Sequence, residues 1–118
     1  METKQVVTAL AALAQQTRLA VYRLLVAQGP SGLAAGEISS KLGIAPATLS
    51  FHLKELNHAG LVRPRQDGRF IYYAADYTAM NELIGFLTEN CCAVDCTDCG
   101  PATAASTQAR KSRRKERA

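Results

Sequence analysis

Apolar side chains recur every three or four residues in five stretches of the chain. Such spacing puts them along one side of an α-helix, so the pattern predicts five helices that each present an apolar face to a core. Thr17 is expected to cap the second helix and Asp76 to begin the fifth. Tyr22 is expected in the core or at an interface, and Arg18 as a solvated charge that could also meet a phosphate. The apolar positions, helix by helix, are Val6, Leu10 and Leu13; Leu19, Tyr22, Leu25 and Val26; Ile38 and Leu42; Leu49, Leu53 and Leu56; and Met80, Leu83, Ile84 and Leu87.

The fourth helix has clearly marked ends and two different sides. Pro46 suits the first helical position because the N–H that it lacks would have no partner there, and Gly60 can adopt the left-handed conformation that ends a helix. The sides away from the leucines carry groups that can contact base edges, phosphates or a thymine methyl group. These side chains are Thr48, Ser50, Phe51, His52 and Lys54. Taken alone, this pattern also fits an ordinary amphipathic helix, and His52, which flanks the leucines, could equally be a hydrogen-bonded residue at the core boundary.

The segment before this helix favours the interpretation as a DNA recognition helix. A helix is predicted over residues 34–43, and Gly43-Ile44-Ala45 joins it to Pro46. Two short helices joined by so brief a glycine-containing turn are typical of the helix-turn-helix unit.

The segment after it predicts a β-hairpin that carries positive charge. Residues 61–66 and 69–73 flank Asp67-Gly68, a strong hairpin signal. Pro64 cannot donate to a β-ladder, so its strand should lie at an edge. The sequence therefore predicts a mainly α fold with a β-hairpin wing, the winged helix-turn-helix. The wing arginines, which could meet the DNA backbone or the minor groove, are Arg63, Arg65 and Arg69.

Two motifs resemble those of a known family. Residues 49–56, Leu-Ser-Phe-His-Leu-Lys-Glu-Leu, and residues 59–62, Ala-Gly-Leu-Val, resemble the S-x-H-L-K-x-L and A-G-L-V signature of the arsenic-repressor (ArsR/SmtB) family of bacterial metal-sensing transcription factors. Residues 16–19, Gln-Thr-Arg-Leu, resemble the start of that family's second helix. The resemblance covers residues 5–90, which we expect to be one DNA-binding and dimerisation domain. It implies a homodimer, held by its first and last helices, that leaves double-stranded operator DNA when a metal or metalloid binds.

Four cysteines lie within nine residues after the last helix, in a predicted effector site over residues 91–100. Thiolates prefer thiophilic ions, and arsenic(III) and antimony(III) belong with that class. Three sulfurs would make a trigonal site, whereas four could hold zinc, since two of the cysteines have C-x-x-C spacing. Neighbouring exposed thiols also oxidise easily, so a redox switch is a third possibility. The cysteines are Cys91, Cys92, Cys96 and Cys99.

The family resemblance favours arsenic(III) or antimony(III) as the effector, with zinc, cadmium or lead next. The predicted helix before the recognition helix contains no cysteine, and residues 76–90 contain no histidine, so two other site patterns of the family are absent. What remains resembles the arsenic-responsive members with adjacent cysteines after the last helix. Whether Cys96 or Cys99 supplies the third sulfur stays open.

Length and charge set further limits. The chain has 118 residues, enough for one modest domain. Its net charge is +4, but the last nine residues hold six Lys/Arg and one Glu, so the rest has eight basic and nine acidic residues, a net charge of −1. Residues 101–118 read as a disordered basic tail that is either solubilising or attracted to phosphates.

Two function classes remain, a DNA-binding regulator and a thiol redox enzyme or metal carrier that uses the cysteine cluster. An enzyme would need a base near its thiol, but both histidines, His52 and His58, lie on the recognition helix. We therefore predict a regulator and no enzyme. The chain has no apolar run near the roughly 20 residues that span a bilayer, so a cytoplasmic protein without membrane association is expected.

Overall fold

The computed structural model describes residues 1–94, which form five α-helices and a three-stranded antiparallel sheet with strand order β1-β3-β2. Met1–Leu87 form one compact unit, and the chain from Thr88 onward belongs to a second. This is the predicted mainly α fold with a β-hairpin wing. The elements are α1 (Thr3–Leu13), α2 (Gln16–Gln28), β1 (Leu33–Ala34), α3 (Ala35–Leu42), α4 (Pro46–His58), β2 (Val62–Asp67), β3 (Phe70–Ala75) and α5 (Tyr77–Thr88).

The core is built around the leucine side of α4. Leu49, Leu53 and Leu56 are all at most 2% exposed, as the sequence predicted. Burying a leucine side chain stabilises the fold by about 1.5–3 kcal/mol, so this one face fixes how α4 lies against the rest of the domain. The other fully buried large side chains of the described chain are Val21, Leu25, Ile38, Leu61 and Val62.

The first helix packs on the core mainly through Val6 and two alanines, with Leu13 partly buried beside them. Val6, Ala9 and Ala12 are buried in α1, whereas Leu10 is 40% exposed. Of the predicted apolar positions, Val6 therefore lies in the core and Leu13 packs against it, whereas Leu10 is left for the contact with a second subunit that the family resemblance implies. Alanines allow the α1 backbone to approach its neighbours closely, and this close packing turns Leu10 outward.

Of the two predicted helix starts, that at Asp76 is confirmed and that at Thr17 is wrong. Asp76 precedes α5, and its Oδ1 accepts a hydrogen bond from the Ala79 N–H at 3.0 Å, as an N-cap should. The prediction that Thr17 caps α2 was wrong. Gln15 occupies that position instead, and its side-chain oxygen accepts from the Arg18 N–H at 2.8 Å.

The helix-turn-helix unit is confirmed residue by residue. Gly43, in the left-handed region at φ +65°, ends α3, and α4 begins at Pro46 after the predicted turn. At the other end, Gly60 has φ +78°, and the Leu61 N–H donates to the Leu56 carbonyl at 3.0 Å, as in a Schellman cap.

The wing forms as predicted, but its turn lies one residue further on. Asp67 pairs with Phe70, so Gly68 and Arg69 are the loop residues rather than Asp67 and Gly68. Gly68 supplies the positive φ of +65° at the first loop position, which a type II′ turn needs. Pro64 lies on β2, an edge strand, as expected.

The sequence did not predict the two-residue strand β1, which pairs with β3. Gly32, just before it, has φ +76°, and a Cβ there would lie 2.4 Å from the Tyr73 carbonyl oxygen. Only glycine fits this close approach of the two backbones.

Tyr22 lies in the core, with 7% of its surface exposed. Its hydroxyl has no hydrogen-bond partner among residues 1–94. Burial first, and then the negative charge of Asp76, raise the pKa of Tyr22 above its ordinary value. Within the part of the chain that the structure describes, this hydroxyl is thus a buried polar group without a hydrogen bond.

The predicted apolar face of α5 is split between the core and the surface. Leu83 is 6% exposed, whereas Ile84 and Leu87 are 52% and 58% exposed. Leu83 therefore stabilises its own subunit. The side chains of α5 that can make an apolar contact with a second subunit are the exposed Ile84 and Leu87 rather than the buried Leu83.

Candidate nucleic-acid interface and thiol pair

The outward face of α4 presents the predicted DNA-contacting groups, with one exception. Thr48, Ser50 and Lys54 are exposed, and the Phe51 ring is 56% exposed. Phe51 and Lys54 lie opposite the buried leucines and Thr48 and Ser50 lie on the flanks, so the packing of the core decides which groups this face offers. The face carries two hydroxyls, one ammonium group and one aromatic ring, which suits contacts to base edges and to phosphates.

His52 is the exception, because only 8% of it is exposed. Its Nδ1 lies 3.5 Å from Nη1 of Arg18 on α2, and its ring contacts Phe51 edge-on at a centroid distance of 5.6 Å. Of the two roles that the sequence left open, the structure thus supports the hydrogen-bonded residue at the core boundary.

Arg18 is half-buried and bonded, so the expectation of a solvated charge was wrong. Its Nε donates to the Ala12 carbonyl at the end of α1 at 2.7 Å, while Nη1 faces His52 on α4. The only signal for this contact in the sequence was the position of His52 beside the leucine face, where a buried imidazole needs a partner.

The three wing arginines differ in how they are held. Arg63 pairs with Asp76 at 3.0 Å, and Arg65 donates to the Ser31 carbonyl at 2.9 Å. Arg65 also lies over the Tyr72 ring, 5.0 Å from its centroid. Arg69 is exposed at the turn, and the hydrogen bonds and ion pairs of residues 1–94 include none from its side chain. Arg69 is therefore the wing cation most available to a phosphate.

The chain after α5 turns sharply and brings two thiols together. The Sγ atoms of Cys91 and Cys92 are 3.6 Å apart, well beyond a disulfide bond, and Cys91 is exposed. Asn90 and Cys92 have φ of +62° and +58°, a conformation that is uncommon for residues other than glycine and is concentrated at functional sites.

The other two predicted ligands, Cys96 and Cys99, and the predicted basic tail over residues 101–118 lie outside the described residues. Residues 1–94 contain no group of three or more His, Cys, Asp or Glu side chains that could hold a metal ion. Within the same range, no helix combines the length and the apolar character needed to cross a bilayer.

A short helix, a glycine turn, a recognition helix with a polar outward face and a basic hairpin together define a winged helix-turn-helix DNA-binding protein. Comparison with known proteins supports this class. A sequence family described as a helix-turn-helix domain matches residues 13–65.

Two curated relatives are transcriptional regulators. The chain is 39% identical over 77 residues to the HTH-type regulator YceK of Bacillus subtilis, covering 64% of this chain and 76% of YceK. It is 32% identical over 81 residues to the transcriptional activator HlyU of Vibrio cholerae, covering 69% of this chain and 72% of HlyU.

Solved structures of similar proteins are also described as possible transcriptional regulators. The homodimeric winged helix-turn-helix domain of Mb0332 from Mycobacterium bovis, described as a possible ArsR-family regulator, has a TM-score of 0.59 and 31% identity over 74% of this chain and 81% of its own. A possible transcriptional regulator for arsenical resistance has a TM-score of 0.59 and 32% identity over 67% of this chain and 79% of its own. The protein therefore belongs to the ArsR family of winged helix-turn-helix transcriptional regulators, and its relatives are regulators rather than enzymes.

Proposed function

We propose that the protein is a homodimeric repressor that releases double-stranded operator DNA when arsenic(III) or antimony(III) binds its cysteines. The observation that carries this proposal is the pair formed by the exposed Cys91 and the half-buried Cys92 in a turn soon after the last helix. Cys96 or Cys99 would complete a trigonal three-sulfur site.

The separation of the two thiols fits a shared ion. Two thiolates bound at about 2.3 Å and at a tetrahedral angle to one ion are about 3.8 Å apart, going by zinc–sulfur distances. The Sγ atoms of Cys91 and Cys92 are 3.6 Å apart. Little rearrangement of this pair is therefore needed to bind an ion.

The same geometry also suits other effectors. Zinc, cadmium or lead could use the same sulfurs, with zinc taking all four cysteines. Two thiols at this separation, one of them exposed, could also oxidise to a disulfide. Metal ions and oxidation are thus the alternative signals for the same regulator, and adding zinc or an oxidant alone distinguishes them from arsenite.

On the DNA side, Thr48 and Ser50 are proposed to read or position bases, with an apolar contact from Phe51. Lys54 and Arg69 would bind phosphates or the minor groove, and the free donors of Arg65 could do so too. His52, being buried, is assigned a supporting role.

The dimer is proposed to form through exposed apolar side chains on the two terminal helices. Val7 and Leu10 on α1 are 58% and 40% exposed, and Ile84 and Leu87 on α5 are 52% and 58% exposed. A twofold axis near these residues would bury them and set two recognition helices about one DNA turn apart. The relative from Mycobacterium bovis is described as homodimeric, which supports a dimer.

Release then requires that the ion bind the weakly DNA-binding conformation more tightly than the other. The relative HlyU is named an activator. The activator role of HlyU is not carried over to this protein. That this protein is a repressor is proposed because the ion is expected to release it from its operator, and this release can be measured directly.

The test is fluorescence anisotropy of a labelled duplex, selected from a randomised pool with the reduced protein. Arsenite should release the duplex from the wild type, and a dithiol added afterwards should restore binding. Cys91→Ser and Cys92→Ser should bind the duplex normally but ignore arsenite. At least one of Cys96→Ser and Cys99→Ser should do the same.

The controls are zinc and a mild oxidant, each added alone. Release by zinc with loss of response in all four serine variants would replace the trigonal site with a four-sulfur zinc site. Release only by oxidant would make the switch a disulfide. Normal release by arsenite from the Cys91/Cys92 double variant would refute the proposal.

A further inference from the structure

Arg18 links three helices of the DNA-binding domain. It belongs to the first turn of α2, its Nε bonds to the Ala12 carbonyl at the end of α1 at 2.7 Å, and its Nη1 lies 3.5 Å from Nδ1 of His52 on α4. The recognition helix is thus tied to the end of α1, a proposed dimer helix, by one side chain.

The chemistry of this contact requires a neutral imidazole. A guanidinium group has only donors, so Nδ1 of His52 must accept and the ring proton must lie on Nε2. An imidazolium has no acceptor and would bring a second positive charge to within 3.5 Å of the first. With His52 only 8% exposed, water can screen this repulsion little.

Within residues 1–94, no acidic group offsets this repulsion at close range. The described ion pairs within residues 1–94 are those of Arg63 with Asp76 and of Arg65 with Asp67, so no carboxylate oxygen comes within 4.0 Å of a His52 nitrogen. The nearest acid along α4 is the half-buried Glu55, one turn away. The charged groups on the elements packed against α4 are Lys4 on α1, Arg18 and Arg23 on α2, Glu37 and Lys41 on α3, and Arg63, Arg65 and Asp67 on β2; on α4 itself they are Lys54, Glu55 and His58.

We propose that Arg18 and the neutral form of His52 are a pair of positioning residues that hold the recognition helix in its DNA-binding orientation, and that protonation of His52 weakens DNA binding. The inference rests on α4 being the helix that reads DNA. Ser50 and Phe51 directly precede His52 in α4, so a displacement of the imidazole moves the groups proposed to meet the bases.

The chain offers a matched control, because it has only two histidines and both lie on α4. His58 is exposed at the end of the helix, so its protonation adds a positive charge near DNA and should strengthen binding. The two histidines are therefore expected to respond to acid in opposite directions.

The experiment measures duplex affinity at constant salt, without metal ions, for three variants. His58→Gln leaves His52 as the only imidazole, and its affinity should fall at least about fivefold from about pH 8 to about pH 6. His52→Asn keeps an acceptor at the δ position but cannot titrate in this range, so its affinity should stay constant or rise. Arg18→Gln, combined with His58→Gln, removes the repelling charge and should lose most of the pH dependence.

A purely structural role for the pair would lower affinity equally at both pH values. If His58→Gln binds DNA equally well at both pH values, the inference is wrong while the proposed function stands. If the wild type selects no duplex at about pH 8, the proposed function itself fails.

Calorimetry provides a second test if the substitutions at His52 or Arg18 unfold the domain. In two buffers of different ionisation enthalpy, duplex binding by His58→Gln near pH 6 should release a fraction of a proton. Zero release, or proton uptake, would overturn the inference.

Discussion

A charge at Leu10 should dissociate the proposed dimer. Val7, Leu10, Ile84 and Leu87 remain 40–58% exposed in one subunit. Covering half of such a side chain is worth about 1 kcal/mol, so eight of them across a twofold interface contribute about 8 kcal/mol. Association costs about 4–15 kcal/mol in lost translational and rotational freedom. The burial of these side chains is therefore of the same size as the cost of association, and a small loss of burial should dissociate the dimer.

Leu10→Glu enters this interface twice, once from each subunit. It removes about 0.8 kcal/mol of burial per subunit and adds the desolvation of two carboxylates, so the dimer dissociation constant should rise at least about a hundredfold. Sedimentation equilibrium over a range of concentrations measures this constant, and circular dichroism checks that the subunit stays folded.

Leu19→Glu is the matched control. Leu19 is 43% exposed, close to the 40% of Leu10, but it lies on α2 rather than on a terminal helix. This variant should remain dimeric. A dimer of normal strength in Leu10→Glu, or equal weakening by both variants, would refute the assignment of the interface.

Three further predictions concern the wing and the core. Arg69→Ala should weaken binding to all duplexes and reduce the slope of log affinity against log salt by about one unit, whereas Arg23→Ala on α2 should leave it unchanged; an unaltered slope in Arg69→Ala would remove the wing from the interface. Gly32→Ala should destabilise the domain by about 2–4 kcal/mol in urea unfolding, because the new methyl group meets the Tyr73 carbonyl and φ is unfavourable. Tyr22→Phe should stabilise it by about 1 kcal/mol at equal protein concentration, since it removes an unsatisfied buried hydroxyl, and a loss of stability would mean that the hydroxyl has a partner.

The sequence predicted the elements whose signals are local. The proline and glycine at the ends of α4 and the glycine turn before it act through backbone conformation at single residues, and their positions are confirmed. The hairpin was found by the same kind of signal, though its turn lies one residue further along.

Features that depend on contacts between elements were missed. Alanine-mediated packing of α1 sets which side of that helix is buried, and its period alone could not separate Val6, which lies in the core, from Leu10, which faces outward. The contact between Arg18 and His52 joins residues 34 positions apart in the chain. The strand β1 has two residues, too few for any periodicity to reveal.

The central claim is that an ion at Cys91 and Cys92 and operator DNA oppose each other's binding. The most direct measurement is the affinity of the wild type for arsenite with and without a saturating concentration of the selected duplex. Linkage requires DNA to weaken arsenite binding by the same factor by which arsenite weakens DNA binding, about 5- to 150-fold in typical regulators. Equal arsenite affinities with and without the duplex would contradict the account.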